Sequence, residues 1–211
     1  MKSIRRFTLV ELLAVIALIS ILSAIGFGVY SYAKGKAQET ATEALMKQIE
    51  AGLESFHAKA GYYPPSPTTG SSDSKKSLFS TIKFTFASDG TVSEIDFGNE
   101  KLEKKTGTDK VSRMKNERLE AFAKAVDMEV LKGHLDNDGD LTDAWGEKIY
   151  YCAPGEFKKG SYDLISAGPD GKFGKDSRDK PEDYRETGEI KIEKYFREFS
   201  GEHLCDDIFT F

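Results

Sequence analysis

The sequence predicts an α+β fold in which one long N-terminal α-helix packs on a small antiparallel β-sheet. Two observations carry this prediction. An uncharged apolar run over residues 12–30 is followed by a helical stripe of apolar residues over residues 36–60. Further along, residues 81–87 and 91–97 alternate apolar and polar side chains, as strands with one buried face do.

The apolar run has the dimensions of a membrane anchor. At about 1.5 Å of rise per residue it spans roughly 28 Å, close to the hydrocarbon thickness of a bilayer. It is longer than the apolar part of a cleaved secretory signal, so we interpret residues 7–30 as a transmembrane helix. Lys2, Arg5 and Arg6 precede it. By the positive-inside rule the N-terminus is cytoplasmic and residues 31–211 form an extracytoplasmic domain.

The stretch after the anchor reads as an amphipathic helix that continues it. Its apolar residues recur every three or four positions and so share one helix face. Gly61 is suited to end such a helix, and Pro64 prevents its continuation. The stripe consists of Ala37, Ala41, Leu45, Ile49, Leu53, Phe56 and Ala60.

The middle of the chain predicts a hairpin and a second helix. Residues 81–87 and 91–97 flank Ser88-Asp89-Gly90, a turn sequence, whereas residues 64–77 and 98–111 read as loops. From Ser112 to Lys132 a second amphipathic helix is expected, capped by Ser112 and ended by Gly133. Its apolar stripe comprises Leu119, Phe122, Ala123, Val126 and Val130.

An acidic segment at residues 136–147 partly matches an EF-hand calcium loop. Its carboxylates alternate and a Glu follows eleven positions after the first Asp, but the sixth position is Leu141 where an EF-hand has Gly. The alternative is an acidic turn that leads into the next strand. The candidate ligands are Asp136, Asp138, Asp140 and Glu147.

Composition narrows the function classes. The net charge is −5, and residues 136–211 carry 19 acidic against 11 basic side chains, which argues against nucleic-acid binding. The chain has no P-loop or dinucleotide motif, and its three histidines have no zinc-site spacing, so no enzyme is predicted. Two cysteines, Cys152 and Cys205, suit one disulfide in an oxidising periplasm; two buried thiols are the alternative.

The start of the apolar run resembles the N-terminal motif of type IV pilins and type II secretion pseudopilins. Phe7, Thr8, Leu9, Val10 and Glu11 match that motif position by position. The resemblance implies that residues 1–6 are a leader, that a prepilin peptidase cuts before Phe7 and methylates its amine, and that Glu11 pairs with the amino terminus of a neighbouring subunit. The family has Gly immediately before the cut, where this chain has Arg6.

A second resemblance, to the major (G-type) pseudopilins, covers residues 143–171. Asp143-Ala144-Trp145-Gly146 and the following residues through Tyr151, then Pro154-Gly155, resemble the family's D-P-W-G-N-P-Y-x-Y … P-G. Residues 162–171 resemble its Y-D-L-x-S-x-G-x-D-G, and Gly-Tyr-Tyr-Pro at 61–64 resembles its G-x-Y-P. The resemblance implies an antiparallel hairpin of strands 147–153 and 161–166.

In the major pseudopilins the loop after that hairpin binds calcium. The resemblance implies a metal site made of Asp170, with Ser166 and Ala167 just before it, and of the D-D-I residues Asp206 and Asp207. In this chain the D-D-I sequence follows an insertion over residues 175–204, within which Asp176 and Asp179 are rival ligands. A Cys152–Cys205 disulfide would bring the end of the insertion back to the hairpin. A Gly-rich acidic turn without metal is the alternative.

The predicted function is a structural subunit of a pilus-like filament, most simply the type II secretion pseudopilus, assembled through the N-terminal helix and stabilised by calcium. The implied partners are copies of the chain itself, the prepilin peptidase, an inner-membrane assembly platform and minor pseudopilins. A type IV pilus subunit and a non-polymerising, membrane-anchored, calcium-dependent binding module are the alternatives.

Overall fold

The computed structural model describes residues 9–69, 76–77, 79–155, 158, 160–171 and 208–210. The protein has two compact units, Met1–Gln38 and Glu39–Phe211. Nearly all the secondary structure that positions a candidate site belongs to the second unit.

One helix, α1, runs from Leu9 to Ala60, which confirms the prediction of a single long N-terminal helix. In the first unit the described large aliphatic side chains of α1 are exposed, from 48% at Val15 to 74% at Leu9. Among the described residues, no helix combines the length and apolar character needed to cross a bilayer. The helix ends as predicted at Gly61, whose φ of 79° lies in the left-handed region that favours glycine.

The buried face of α1 lies between Thr42 and Phe56. Leu45, Ile49, Leu53 and Phe56 are fully buried, as their spacing predicts. Ala37 and Ala41 are exposed, so the predicted stripe was wrong at its first two positions. The burial begins only at Thr42, where the hydroxyl accepts a hydrogen bond from the Ala144 N–H at 3.1 Å. Periodicity finds the apolar face of a helix but not the point at which other elements begin to cover it.

The described strands form three antiparallel sheets. The strands are β1 Thr68–Thr69, β2 Lys76–Ser77, β3 Ser80–Thr81, β4 Lys83–Phe86, β5 Val92–Asp96, β6 Lys101–Glu103, β7 Ile149–Cys152, β8 Asp163–Ser166 and β9 Ile208–Thr210. The two-stranded sheet pairs β1 with β2, the three-stranded sheet has the order β4–β5–β6, and the four-stranded sheet has the order β3–β7–β8–β9.

Both predicted hairpins are confirmed. β4 pairs with β5 around the turn at Gly90, and β7 pairs with β8 with Ile149 opposite Ser166. The strand β6 lies inside residues 98–111, where the sequence predicted only loop. Three residues with a single buried side chain, Leu102, are too few for the alternation of a strand to be recognised.

The predicted second helix is divided into α2, Lys110–Ala125, and α3, Met128–Lys132. Asp109, rather than Ser112, caps α2, because its carboxylate accepts the N–H groups of Val111 and Ser112. Asp127 interrupts the helix and caps α3 in the same way. Gly133 ends α3 as predicted.

The stripe predicted for this helix is correct in α2 and wrong in α3. Leu119, Phe122 and Val126 are buried, whereas Val130 is 43% exposed. The interruption at Asp127 changes the helical phase, so Leu131 rather than Val130 enters the core. The sequence pattern assumed one uninterrupted helix and therefore assigned the wrong face after residue 126.

The core of the second unit joins α1, α2 and strands from both larger sheets. Gly52 of α1 is buried because the ring of Phe122 lies against it. The Phe97 ring lies 6.0 Å from that of Phe122 and 5.2 Å from that of Tyr151, centroid to centroid. One aromatic cluster therefore connects the helices to both sheets.

The segment after α1 is held to the four-stranded sheet by buried hydrogen bonds. The Tyr151 hydroxyl donates to the Pro64 carbonyl at 2.7 Å, and the Ser66 N–H donates to the Ala153 carbonyl at 3.0 Å. Burial raises the pKa of Tyr151, so its hydroxyl stays a proton donor. The Gly-Tyr-Tyr-Pro segment therefore connects α1 to β7.

Gly52→Ala tests the contact between α1 and α2. A Cβ at Gly52 would lie 2.8 Å from two ring carbons of Phe122 and 2.9 Å from Val126 Cγ2. Overpacking of this kind lowers the free energy of unfolding by about 1–3 kcal/mol. This loss exceeds the roughly 1 kcal/mol by which alanine stabilises a helix relative to glycine. We expect the substitution to lower the melting temperature, measured by circular dichroism on the full chain in detergent.

Gly35→Ala is the matched control on the same helix, because a Cβ at Gly35 meets no atom within 4 Å among the described residues. It should leave the melting temperature equal or slightly higher. A melting temperature that does not fall for Gly52→Ala would contradict the described packing.

Candidate functional site

The β7–β8 hairpin supports two neighbouring turns that contain the pseudopilin-like motifs. All residues of both strands are buried. One turn, residues 143–146, precedes β7, and the other, residues 166–171, follows β8. Because Ile149 is opposite Ser166 in the register, the two turns lie at the same end of the hairpin.

The 166–171 turn is buried over its first three residues. Ser166 and Ala167 are buried, and a 3-10 turn follows at Gly168–Asp170. Gly171 adopts a φ of 67°, and an added Cβ there would lie 3.0 Å from Cδ of Glu147. Both the backbone conformation and the closeness of the Glu147 carboxylate favour glycine at this position.

Asp143 connects the two turns. Its Oδ1 accepts the N–H groups of Trp145 and Glu147, each at 2.9 Å. Its Oδ2 accepts the Ser166 hydroxyl at 2.6 Å, and the Ser166 Oγ accepts the Gly168 N–H at 3.1 Å. Asp143 is only 3% exposed, so three donors stabilise a carboxylate that burial would otherwise destabilise.

The predicted ligands of the second acidic turn are only partly described. Ser166, Ala167 and the backbone of Asp170 lie in the turn. The Asp170 side chain and all of Asp176, Asp179, Asp206 and Asp207 lie outside the described residues. Strand β9 pairs with β8 so that Ile208, which directly follows Asp207 in sequence, is opposite Ser166.

The EF-hand-like segment is an ion-paired turn in this structure. Asp136 Oδ1 accepts the N–H groups of Asp138 and Asp140, both at 2.9 Å. The Lys148 ammonium lies 2.6 Å from an Asp140 carboxylate oxygen and 3.5 Å from one of Asp136. Glu147, the predicted last ligand, instead lies beside Gly171. Since an ammonium group already forms ion pairs with two of the carboxylates, the geometry favours the alternative of an acidic turn.

Within the described ranges, no three His, Cys, Asp or Glu side chains are grouped as metal ligands. Four of the predicted ligands and the Asp170 side chain fall outside those ranges, so calcium binding stays a prediction.

The ion pairs shift the pKa values of their groups. The hydrogen bond to Asp140 raises the pKa of Lys148. For Asp136 burial acts to raise the pKa, but the N–H groups of Asp140 and Asp138 and the charge of Lys148 together lower it. Both shifts stabilise the charged forms near neutral pH.

The residues predicted to act in processing and assembly belong to the N-terminal part of the chain. Arg6 and Phe7 fall outside the described residues. Glu11 lies in the first turn of α1 and is exposed. A carboxylate in the first turn of a helix is favoured by the helix dipole, so Glu11 is compatible with helix initiation whatever its other role.

The disulfide prediction is only half described. Cys152 is buried at the end of β7 opposite Asp163, and its sulfur lies 3.9 Å from the Ser66 hydroxyl oxygen. Cys205 lies outside the described residues, so the Cys152–Cys205 bridge stays a prediction.

The sequence identifies Asp143 as a motif residue but does not show which groups it binds. Its role depends on Ser166, 23 positions later, and on Thr42, which binds the adjacent Ala144 across 102 positions. A weak local signal exists, because an Asp two residues before a backbone N–H often closes a turn with its own side chain. Nothing local indicates the bond to Ser166.

Comparison with protein families supports the second resemblance. Residues 112–182 match the family described as type II secretion system (T2SS), protein G. The matched range, about a third of the chain, includes both turns and the β7–β8 hairpin. No curated protein and no solved structure matches the chain. The match agrees with the predicted resemblance to the major pseudopilins over residues 112–182.

Asp136→Ala tests the ion-paired turn. At pH 7 the variant loses one ion pair and two hydrogen bonds that the carboxylate accepts from backbone N–H groups. We expect the free energy of unfolding to fall by about 1–2 kcal/mol, and the melting temperature to fall with it. The folded pKa of Asp136 is lowered, so its contribution is present above the unfolded pKa, about 3.9, and is lost as the pH falls through the folded value. The deficit of the variant should therefore shrink below about pH 4.

The control is Asp138→Ala, because Asp138 is exposed and contributes its backbone N–H to this turn. It should have little effect at either pH. A deficit for Asp136→Ala that stays constant through the acid range would contradict the ion-paired turn.

Proposed function

We propose that this chain, whose residues 112–182 match the family of type II secretion system protein G, is a structural subunit of the type II secretion pseudopilus. The proposal includes a single-pass inner-membrane precursor with a cytoplasmic N-terminus and a periplasmic globular domain. Its partners are copies of itself, the prepilin peptidase, the assembly platform of the inner membrane and minor pseudopilins.

The observation that carries this proposal is the continuity of α1. One helix holds the exposed apolar residues of the first unit and the buried stripe of the second. Large apolar side chains exposed in succession mark surfaces that lipid or another protein covers. A filament subunit needs both environments, lipid before assembly and neighbouring helices afterwards.

Glu11 supplies specificity within this apolar stretch. A carboxylate at the edge of a bilayer core costs a few kcal/mol, so its presence favours a role that outweighs that cost. We propose that it pairs with the amino terminus of Phe7 on a neighbouring subunit after the leader is removed. If Arg6 prevents cleavage, a neighbour's Arg5 or Arg6 would supply the cation instead.

Calcium is the second part of the proposal. The proposed ligands are oxygens of Ser166, Ala167 and Asp170 together with Asp206 and Asp207. In support, Ile208, which directly follows Asp207 in sequence, pairs with Ser166 at the start of this turn. Carboxylates mixed with backbone carbonyls are the ligands that calcium prefers. Bound calcium would stabilise the turn and fasten the C-terminal segment to it.

Glu11→Leu tests assembly. Removing the carboxylate should leave membrane insertion intact, because the anchor becomes more apolar, but should abolish filaments because the inter-subunit ion pair is lost. The measurements are membrane fractionation and electron microscopy of sheared filaments. Val10→Leu, one position earlier, is the control and should assemble normally.

Filaments of normal number and length from Glu11→Leu would contradict the pairing. Mass analysis of the mature N-terminus identifies the cation: a chain that starts at Phe7 supplies its terminal amine, and a chain that starts at Met1 requires an arginine. Absent filaments for the wild-type chain would favour the non-polymerising anchored module.

Calcium binding is tested by thermal melting of the full chain in detergent, with calcium or with a chelator. At about 100 times its dissociation constant a ligand adds about 2.7 kcal/mol, which corresponds to roughly 5–10 °C for a chain of this size. Asp170→Ala should abolish this response. Asp136→Ala should keep it, because that residue belongs to the ion-paired turn.

An identical wild-type melting temperature with calcium and with chelator would remove the metal site from the proposal. A response lost in Asp136→Ala and kept in Asp170→Ala would move the site to residues 136–147.

A further inference from the structure

We propose that Asp143 is a positioning residue that sets the geometry of the 166–171 turn and thereby its affinity for calcium. The inference rests on the proposed calcium site but concerns a residue outside its ligand set. It gives the Asp of the Asp-Ala-Trp-Gly motif a role that the motif alone does not reveal.

Asp143 acts on the beginning of the turn through Ser166. The Ser166 hydroxyl donates to Asp143 Oδ2 at 2.6 Å, which aims the remaining lone pairs of Oγ at the Gly168 N–H, 3.1 Å away. Because an ionised carboxylate only accepts, the direction of both hydrogen bonds is determined. Both Ser166 and Asp143 are buried, so water does not compete effectively for these bonds.

Asp143 acts on the end of the turn through Glu147. Its Oδ1 accepts the Glu147 N–H at 2.9 Å, which holds the residue whose carboxylate lies against Gly171. Asp143 therefore binds the first residue of the turn directly and fixes the backbone of a residue whose side chain lies beside the last. The Glu147 carboxylate also places negative charge next to the residue that follows Asp170, where it favours a bound cation.

The same turn is anchored to helix α1. The Ala144 N–H, adjacent to Asp143, donates to the Thr42 hydroxyl at 3.1 Å, and Thr42 is fully buried. The 143–146 turn is thus fixed on one side by a helix and on the other by β8. Such a rigid support lets Asp143 orient the ligand atoms of the turn without itself binding the cation. Ligand atoms must be held close to their binding geometry before the cation arrives.

The experiment measures calcium affinity of the full chain in detergent by isothermal titration. Asp143→Asn keeps the size of the side chain but replaces the acceptor of Ser166 or Glu147 by an NH2 group. Loss of a residue that orients a metal ligand typically weakens metal binding about 10–100-fold, and we expect at least about 10-fold here. If Asp143→Asn does not fold, Ser166→Ala, which removes the link to Gly168, is used instead. Because Ser166 is itself a proposed ligand, its readout is faster hydrogen exchange of residues 166–171 without calcium.

The matched control is Asp163→Asn. Asp163 is also buried, on β8, and its Oδ1 accepts the Lys158 N–H at the opposite end of the hairpin. It should lower the melting temperature equally with and without calcium and leave the calcium affinity unchanged. Hydrogen exchange supplies a readout without metal: the peptide covering residues 166–171 should exchange faster in Asp143→Asn than in Asp163→Asn.

The outcomes separate the inference from the function on which it rests. A wild-type chain that binds calcium and an Asp143→Asn variant that binds it equally well would overturn the inference alone. A wild-type chain that binds no calcium would overturn the calcium site and this inference with it, whereas the filament proposal is decided by Glu11. Weakened binding and faster exchange of residues 166–171 in Asp143→Asn, with the control unchanged, support the inference.

Discussion

Burial of one face of α1 between Thr42 and Phe56 is the constraint on which the second unit depends. A helix face of this kind is stable only when other elements cover it, and here α2 and strands of both larger sheets do so. The contact is close enough that Gly52 has no room for a Cβ beside Phe122. Because α2 lies directly on α1, the middle of the chain, which shows no motif of its own, has a defined place in the core.

The two larger sheets contribute to different parts of the second unit. The three-stranded sheet comes from residues 83–103 and contributes buried side chains such as Phe84 and Ile95 to the core. The four-stranded sheet carries the two motif-bearing turns and, through β9, the return of the chain after the insertion.

Buried, hydrogen-bonded polar groups fix the arrangement of the two turns in the candidate site. Thr42, Asp143 and Ser166 are at most 3% exposed, and each is hydrogen-bonded. A partly satisfied network of this kind would destabilise the fold, whereas a fully satisfied one selects a single arrangement of the turns. The acidic turn at residues 136–140 differs, because two of its carboxylates already form ion pairs with Lys148. Two segments with similar acidic composition therefore have different local chemistry.

The sequence alone determined the class of the fold, the long N-terminal helix, both hairpins and the resemblance to the major pseudopilins over residues 112–182. These features depend on local periodicity, on turn residues such as Gly61 and Gly90, and on contiguous motifs, all of which are visible within short windows. The same locality explains the errors. The interruption at Asp127, the exposed Ala37 and Ala41, and the short strand β6 depend on which neighbours cover each position.

Only the tertiary structure decided which polar residues meet. Glu147 looked like the last ligand of an EF-hand-like loop, yet it lies beside Gly171 because the β7–β8 register brings the two turns together. Lys148 had no assigned role until its ammonium was found between Asp136 and Asp140. The bonds of Asp143 to Ser166 and of Ala144 to Thr42 join positions 23 and 102 residues apart. Such pairs are formed by chain packing, and no window of sequence contains both partners.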